Sequence, residues 1–313
     1  MLQYSDLNTY LRKTFGKKVY KLSLDAGFTC PNRDGTIDTR GCSFCSAGGS
    51  GEFAASRRLS IAEQIKEAKE RIQSKLPKTG EVGYLAYFQA FTNTYAPVEV
   101  LRNVYEEAME AEGVVAISIA TRPDCLQSEV VALLEELNQR KPIFVELGLQ
   151  TMHEESAIRI RRGYSRTVFE DAVQRLSRAG IKVVVHLILG LPYETKEDML
   201  ASVRYVCEQP IHGIKLQLLH LLEGTDMGEA YKAMPEEDRE KVFACLSMEA
   251  YLELVTECLK IIPPSIVIHR LTGDGPKRIL IAPEWSGNKK AVLNALNTEI
   301  KCNNDRSMRE YEI

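Results

Sequence analysis

Short apolar segments alternate with longer amphipathic segments along most of the chain. Six of the apolar segments lie roughly 30–60 residues apart: Lys21–Asp25, Val82–Phe88, Val114–Ala120, Ile143–Leu149, Val183–Leu189 and Gly213–Leu219. Each has the composition of a parallel strand that is covered on both faces. Repeated strand–helix units indicate an α/β fold, and six units are fewer than the eight that close a barrel. The sequence therefore predicts a partial (β/α)6 barrel. A Rossmann sheet is the alternative, although no G-x-G-x-x-G follows a strand.

The helical segments between these strands carry recognisable start signals. Ser60–Ser74 and Thr195–Cys207 each begin with Ser or Thr followed three residues later by an acidic residue, the pattern of a capping box. Pro97–Glu112 begins with proline, which suits the first turn of a helix. Ser128–Gln139 and Thr167–Ala179 complete the set. We expect these five helices to cover the sheet.

Beyond the sixth strand the pattern changes. Lys241–Ile262 is predicted to be one long helix that a proline pair ends, Ser265–His269 a last strand and Asn288–Cys302 a final helix. We therefore predict two parts. Residues 1–219 form the barrel with its N-terminal segment, and residues 220–313 form a C-terminal α/β extension packed on the barrel.

Three cysteines, Cys30, Cys42 and Cys45, lie in one glycine-rich loop after the first predicted strand. The next cysteine or histidine along the chain is Cys125, followed by His153. A four-iron cluster normally takes four cysteines, so three leave one iron open to another ligand. Zinc is an alternative, but a closed zinc site would need a fourth ligand from far along the chain. Ordinary buried thiols are a second alternative, which the turn-forming residues of the loop disfavour.

Composition and charge give expectations about location and partners. Eight cysteines, an N-terminus without an apolar signal-like segment and no apolar run of membrane-spanning length predict a cytoplasmic protein without a membrane anchor. The net charge of −3 does not by itself indicate nucleic-acid binding. Residues 1–58 nevertheless carry nine Lys/Arg against five Asp/Glu, and such basic patches suit either a phosphate backbone or a solvated surface.

Polar and reactive side chains follow every predicted strand. They are Cys30 after the first strand, Gln89 after the second, Arg122 after the third, Glu146 and Gln150 closing the fourth, His186 inside the fifth, and Gln217 and His220 closing the sixth. Sites in α/β barrels and open parallel sheets form at the carboxyl ends of the strands. We therefore expect these residues to meet at the end of the sheet that holds the cysteines.

In its cysteine loop and strand-end residues, the chain resembles the radical S-adenosylmethionine (radical SAM) superfamily. The matching strings are Phe28–Gly35, Phe44–Gly51, Gln89–Tyr95, Thr121–Cys125, Glu146–Gln150 and Leu189–Pro192. The usual signature of the superfamily is C-x3-C-x2-C, whereas eleven residues separate the first two cysteines here. That longer gap is similar to the elongator-like branch, and the resemblance is closer still to its bacterial YhcC/YtqA (MnmL-type) group.

The resemblance implies two cofactors, a [4Fe-4S] cluster held by Cys30, Cys42 and Cys45, and S-adenosyl-L-methionine (SAM) on the open iron. It also implies SAM contacts: Phe44 and His186 at the adenine, Gln89 at the methionine amino group, Gln150 or Glu146 at the ribose, and Arg162 or Arg159 at the methionine carboxylate. From the residues alone, Glu146 is equally an ion-pair partner of an arginine, and His186 a satisfied core histidine.

The resemblance further implies the reaction. A flavodoxin or ferredoxin supplies an electron, and the resulting 5′-deoxyadenosyl radical converts 5-carboxymethylaminomethyl-(2-thio)uridine to its 5-aminomethyl form at the wobble position of tRNA. Arg122, Arg270 and Arg33 are candidates to bind the substrate carboxylate. Trp285 and Tyr95 are candidates to contact the tRNA. The alternatives are a radical SAM enzyme with another substrate and a non-catalytic iron–sulfur or zinc module that binds RNA.

Overall fold

A computed structural model describes residues 4–243, 247–273 and 275–310 of the chain. Its main sheet has eight parallel strands, and its second sheet is a short antiparallel pair. The strands are β1 (Ser5–Asp6), β2 (Lys18–Leu24), β3 (Val82–Phe88), β4 (Val114–Thr121), β5 (Ile143–Gln150), β6 (Lys182–Leu189), β7 (Gly213–Leu218), β8 (Leu221–Leu222), β9 (Val267–Arg270) and β10 (Leu280–Ala282). The order β1-β9-β7-β6-β5-β4-β3-β2 curls into a half-barrel, and β8 pairs with β10.

Helices connect the strands, and most of them cover the outer face of the half-barrel. They are α1 (Leu7–Phe15), α2 (Ile61–Ile72), α3 (Val98–Glu110), α4 (Ser128–Asn138), α5 (Glu154–Arg159), α6 (Arg166–Arg178), α7 (Lys196–Cys207), α8 (Asp226–Ala233), α9 (Glu236–Val242), α10 (Met248–Ile261) and α11 (Lys289–Glu310). Outward-facing strand residues such as Ile117 and Val145 pack with helical residues such as Leu101 and Phe169 in the main core. Within the described ranges, no helix has the length and apolar character needed to cross a membrane.

The predicted fold class is confirmed. The six predicted strands correspond to β2–β7. Five of them begin within one residue of the predicted position, and β2 begins three residues earlier than predicted, at Lys18. The sheet is wider than six strands because β9 pairs with β7, and β1 pairs with β9. The C-terminal part of the chain thus contributes a strand to the main sheet. The boundary between residues 219 and 220 stays a prediction.

Helix starts were predicted well where a polar side chain caps them. Ser60 and Thr195 both form the expected capping boxes, with Glu63 and Asp198 respectively. The prediction of one helix over Lys241–Ile262 is wrong. Phe243 has extended backbone after the end of α9, and the Ser247 side chain accepts a hydrogen bond from the Ala250 amide to begin α10 as a new helix.

Helix α1 was not anticipated from the sequence. Asp6 caps its start by accepting from the Thr9 amide, and Gly16 ends it in the left-handed conformation with a φ of 67°. The helix contributes Leu11 to a cluster inside the barrel, and the Tyr10 ring lies 4.6 Å from the His212 ring. Helix α1 therefore plugs the lumen at the amino end of the strands.

Two layers of side chains fill the lumen above this plug. We call the first the lower layer, and its strand residues are Val19, Leu85, Ala116, Phe144 and Val184. We call the second the charged layer, and it consists of Lys21, Tyr87, Ser118, Glu146, His186 and Lys215. Alternate residues of a strand point to the same face, so the charged layer lies one step closer to the carboxyl ends of the strands.

Candidate active site at the carboxyl end of the half-barrel

A cavity of about 250 Å³ lies above the charged layer, at the carboxyl ends of the strands. The residues that the sequence singled out and that line it are Cys30, Arg33, Cys42, Phe44, Cys45, Gln89, Arg122, Glu146, Gln150, Arg162, His186, Gln217, His220 and Arg270. Arg159 is not among the lining residues. Site residues of a parallel sheet lie at the carboxyl ends of its strands, and nearly all of the candidates chosen on this basis line the cavity.

The cysteine loop is held against the loop that follows α5. The Asn32 side chain donates to the Arg161 carbonyl at 2.7 Å and to Cys42 Sγ at 3.4 Å. The Arg33 guanidinium donates to the carbonyls of Cys45 and Ser46, at 2.9 and 2.6 Å. These bonds fix the backbone on which the three thiols stand.

Gly41 is required in this loop for two reasons. Its φ of 78° lies in the left-handed region, and a Cβ at this position would lie 2.9 Å from Arg33 Nε. A larger residue would therefore displace the guanidinium that braces the Cys45 carbonyl.

Two of the thiols, Cys42 and Cys45, lie in a setting that disfavours the free thiolate. Burial, together with the neighbouring Cys45, raises the pKa of Cys42 to about 12, and burial also raises the pKa of Cys45. Coordination by a metal deprotonates a thiol outright. Loading of iron at this position is therefore expected to release protons.

The donor set fits an iron–sulfur cluster. Among residues 4–243, 247–273 and 275–310, no three His, Cys, Asp or Glu side chains are close enough together to bind a single metal ion. A [4Fe-4S] cluster instead distributes its thiolate ligands over separate irons. Cys30, Cys42 and Cys45 share one cavity wall, whereas Cys125 is buried outside it.

Glu146 is the centre of the charged layer. Its side chain is fully buried, and its carboxylate accepts from Ser118 Oγ at 2.6 Å and contacts His186 Nε2 at 2.8 Å. Lys21 lies 3.4 Å away, and Lys215 forms a direct ion pair with it. Both of the alternatives predicted from the residues are thus partly met, since Glu146 is in a buried ion pair and His186 is a satisfied histidine.

The electrostatics of this layer follow from burial and crowding. Burial by itself would raise the pKa of Glu146, but Lys21 and Lys215 outweigh it and hold that pKa well below the usual range. Burial, then the charge of Lys215, lowers the pKa of His186 to about 4, so its imidazole is neutral near pH 7. Burial, with Lys21 and Arg270 nearby, also lowers the pKa of Lys215.

Tyr87 links the two lysines of the layer. Lys215 Nζ lies 3.2 Å from the Tyr87 hydroxyl, and the ammonium groups of Lys21 and Lys215 lie 4.1 and 4.6 Å from the centre of its ring. Sequence reasoning missed Lys21, Tyr87, Ser118 and Lys215 as site residues. The signal was a lysine inside an otherwise apolar strand, as at Lys215 in β7.

The arginines at the site differ in how their guanidinium groups are used. Arg122 forms a two-pronged pair with Asp124, at 2.9 and 2.7 Å, and donates to the Arg162 carbonyl. Arg33 is directed at the backbone carbonyls described above. Arg270 lines the cavity at the end of β9, and in the described part of the chain its guanidinium has neither a hydrogen bond nor an ion pair.

The two arginines expected near the SAM carboxylate are also engaged elsewhere. Arg162 is 1% exposed, donates to the carbonyls of Leu149, Thr151 and Tyr164, and pairs with Glu154. Arg159 is on the surface, where it pairs with Glu155 and stacks on Tyr193 at 4.8 Å. Arg162 thus shapes the cavity wall, and Arg159 does not reach it.

Several loops at this end hold strained backbone. The non-glycine residues with positive φ are Ser50, Phe91, Gln150, Arg161 and Tyr193, all of them in loops or strand ends on the cavity side. Such conformations cost about 1–3 kcal/mol each and cluster at functional sites. The Gln89 side chain ties one such loop to the strand ends by donating to the Ser50 carbonyl at 2.6 Å.

The residues expected to touch tRNA occupy different settings. Trp285 is half-buried in the main core, with its ring 5.6 Å from that of Tyr251. The Tyr95 hydroxyl is hydrogen-bonded to Thr36 of the cysteine loop at 2.9 Å. Tyr95 therefore lies close to the cavity, whereas Trp285 anchors the C-terminal part.

Comparisons with known proteins agree with the geometry. The model of the Radical SAM superfamily matches residues 38–206, and that of the Radical_SAM C-terminal domain matches residues 211–302. YtqA of Bacillus subtilis is 48% identical over 299 residues, covering 96% of this chain and 90% of that protein. YhcC of Escherichia coli is 38% identical over 280 residues, covering 89% of this chain and 86% of that protein.

A solved structure supports the fold. Elp3 of the archaeon Methanocaldococcus infernus superposes with a TM-score of 0.65 at 18% identity. The match covers 90% of this chain but only 63% of the Elp3 chain. At this identity the likeness concerns the fold alone.

Proposed function

The chain belongs to the radical SAM superfamily, and we propose that it uses a [4Fe-4S] cluster to cleave SAM and act on the wobble uridine of tRNA. When bound, the cluster and SAM together would supply a 5′-deoxyadenosyl radical able to abstract hydrogen from an unactivated carbon. The observation that carries the proposal is three thiols on one cavity wall, at the carboxyl end of a half-barrel.

The chain's own residues would bind and orient SAM. Phe44, between two of the cysteines, lines the cavity and is placed to contact the adenine, and Gln89 is placed near the methionine amino group. Gln150 is favoured over Glu146 for the ribose because the Glu146 carboxylate already has four partners. His186 keeps its ring nitrogen on Glu146, which leaves the adenine contact to its strand.

Neither of the two arginines expected to bind the methionine carboxylate is available for it. Arg159 lies outside the cavity, and the Arg162 donors point to carbonyls and Glu154. We assign Arg162 an indirect role, which is to hold the Leu149–Thr151 backbone that forms one wall. The wall, rather than a free cation, would then present hydrogen-bonding groups to SAM.

The proposed substrate reaction is conversion of 5-carboxymethylaminomethyl-(2-thio)uridine to 5-aminomethyl-(2-thio)uridine. Its support is the resemblance of the sequence to the elongator-like branch of the superfamily, together with a cavity rich in cations. The first step on the substrate would be abstraction of a hydrogen atom from the methylene beside its carboxylate. Loss of one further electron, returned to the electron carrier, and of the N–H proton would give an imine, which water would hydrolyse to the amine and glyoxylate. Arg122 and Arg270 are the candidates to hold that carboxylate, and the electron would come from a flavodoxin or ferredoxin.

Two measurements test this function. Anaerobically reconstituted protein should contain about four irons per chain and should form 5′-deoxyadenosine when it is reduced in the presence of SAM. Digested tRNA from a deletion strain should accumulate the carboxymethylaminomethyl nucleoside and lose the aminomethyl form. Iron without 5′-deoxyadenosine would favour a non-catalytic RNA-binding module. Formation of 5′-deoxyadenosine with unchanged wobble nucleosides would indicate a different substrate.

A further inference from the structure

The wall of the cavity carries an excess of positive charge. Among the described residues that line it, Glu146 is the sole acid, whereas the cations are Arg33, Arg122, Arg162, Lys215 and Arg270. Outside the cavity wall, Lys21 places a further ammonium group 3.4 Å from the Glu146 carboxylate. Buried charges are normally paired because desolvation is costly, so this imbalance needs an explanation.

Three of these cations have hydrogen-bonded partners within the protein. Arg122 has Asp124, Arg162 has Glu154, and Arg33 is bonded to carbonyls. The remainder are Lys21 and Lys215, which share the one carboxylate of Glu146, and Arg270, which lies close enough to both lysines for mutual repulsion. The uncompensated charge thus lies at the base of the cavity, inside the barrel.

Arg270 is the partly exposed member of this group of cations. It is the register partner of Lys215 on the adjacent strand, so two cations stand side by side at the cavity floor. Arg270 and Lys21 also line a second cavity of about 350 Å³ beneath the edge of the sheet. The acid there, Asp6, already accepts from the Thr9 amide and hydroxyl as the cap of α1. No protein carboxylate is therefore positioned to satisfy Arg270 in the described part of the chain.

We propose that Arg270, supported by Lys215, binds a carboxylate of the substrate at the floor of the cavity. A guanidinium presents a planar fork of N–H donors that matches a carboxylate in two-pronged fashion, and a buried ammonium adds charge beside it. This inference rests on the proposed function only in taking the cavity as the substrate site. It makes the substrate an acid whose reacting carbon lies within a few bonds of its carboxylate, above the charged layer.

The test uses reconstituted full-length protein and two ligands that differ by one group. The ligands are the nucleoside 5-carboxymethylaminomethyluridine and its carboxamide, and binding is measured by calorimetry in the presence of SAM. We expect the wild type to prefer the acid by about 10–100-fold, the equivalent of a charged hydrogen-bonded pair. Arg270→Gln should bring the acid-to-amide ratio close to one, and Arg270→Lys should restore part of it. Arg102→Gln, on an exposed ion pair far from the cavity, is the matched control.

Two results would overturn the proposal: a wild type that does not distinguish acid from amide, or an Arg270→Gln variant that weakens both ligands equally. The second result would show a structural role. A measurement independent of tRNA is the melting temperature in sodium acetate against acetamide at equal ionic strength. Acetate should stabilise the wild type but not Arg270→Gln, and equal stabilisation of both would also overturn the site. Absence of 5′-deoxyadenosine from the wild type would instead refute the proposed function and leave the acetate comparison to decide the site.

Discussion

The lower layer and the charged layer of the lumen are built on the same strands, two residues apart, yet they have opposite chemistry. Phe144 lies in the lower layer and Glu146 in the charged layer of β5, and Val184 and His186 stand in the same relation on β6. On β3 the pair is Leu85 and Tyr87. A single step along the pleat therefore separates a packed apolar core from a network of charges.

The two layers therefore differ in how much they contribute to the stability of the barrel. The lower layer packs against Leu11 of α1 and contributes stability through apolar burial. The charged layer gains little stability, because desolvation of its ions offsets their attraction. We infer that the lower layer provides the rigid floor on which an unfavourable cluster of cations can be kept.

Removing one cysteine should abolish activity without harming the barrel. Cys42→Ser is expected to lose the iron–sulfur absorbance and to reduce 5′-deoxyadenosine formation to background, since each thiolate is needed to hold the cluster. Far-ultraviolet circular dichroism and the urea midpoint of the cluster-free protein should not change. Cys207→Ser, in α7 on the outer side of the sheet, should retain both iron and activity. Normal iron in Cys42→Ser would show that the metal ligands lie elsewhere.

Shortening a lower-layer side chain should have the largest effect on stability. Phe144 is 1% exposed, and Phe144→Ala is expected to cost about 3–5 kcal/mol in the free energy of unfolding because it leaves a cavity under the charged layer. Urea unfolding measures the loss. Ile158→Ala, at a side chain that is 74% exposed, should change the same quantity by less than about 0.5 kcal/mol. Similar losses in the two variants would contradict the role given to the lower layer.

Neutralising the acid of the charged layer should cost somewhat less. Glu146→Gln keeps the shape of the side chain but replaces one acceptor oxygen with an amide donor. It leaves Lys21 and Lys215 without a counter-charge, which should cost about 3 kcal/mol. Urea unfolding at pH 7.5 gives the value. Glu136→Gln, whose carboxylate pairs with Arg102 on the surface, is the control and should have no measurable effect. A neutral effect at Glu146 would mean that its lysines are uncharged in the folded protein.

The smallest expected effect concerns the acid sensitivity of His212, whose ring contacts Tyr10 of the plug helix α1. Burial, and then the charge of Lys182, lowers the pKa of His212 to about 4 from an unfolded value near 6.5, so the unfolded chain binds more protons between these values. Stability contributed by the neutral ring is therefore lost as the pH falls from 6.5 towards 4. His212→Phe should remove this loss and make the protein about 2 kcal/mol less acid-sensitive between pH 7.5 and 5.

The measurement for His212→Phe is urea unfolding at both pH values, compared with the wild type. A phenyl ring keeps the contacts with Tyr10 and Phe144, at ring distances of 4.6 and 5.6 Å. Curves that fall in parallel for the two proteins would show that the histidine is not responsible. His186, also with a pKa lowered to about 4, would then be the next group to test.

Much of the fold was predictable because its strands are covered on both faces. Buried strands such as β3 and β6 stand out as apolar runs, and the capping boxes at Ser60 and Thr195 mark helix starts through local hydrogen bonds. Helix α1 was missed although Leu7, Leu11 and Phe15 recur at helical spacing, since short amphipathic segments depend on the surface that they meet.

The site was predictable in position but not in the use of each residue. Strand ends identified Gln89, Arg122 and His186 because parallel strands share one functional end. Which arginine stays available depends on partners distant in sequence, as when Arg162 finds the Leu149 carbonyl, and no pattern in one chain reports this. The face of a strand is likewise set by its neighbours, so Lys215 could not be assigned to the lumen from β7 alone.

The pairing of β1 with β9 has a consequence for how the protein is made. Ser5 is the register partner of Val267, so a segment that is synthesised before β2 must wait for one that is synthesised after β7. During synthesis, β2–β7 and their helices can assemble in order, while the edge of β7 stays without a neighbour. The pairing of β1 with β9 closes a long loop of chain at a late stage. We therefore expect a slow final folding phase in which β1 and β9 dock together.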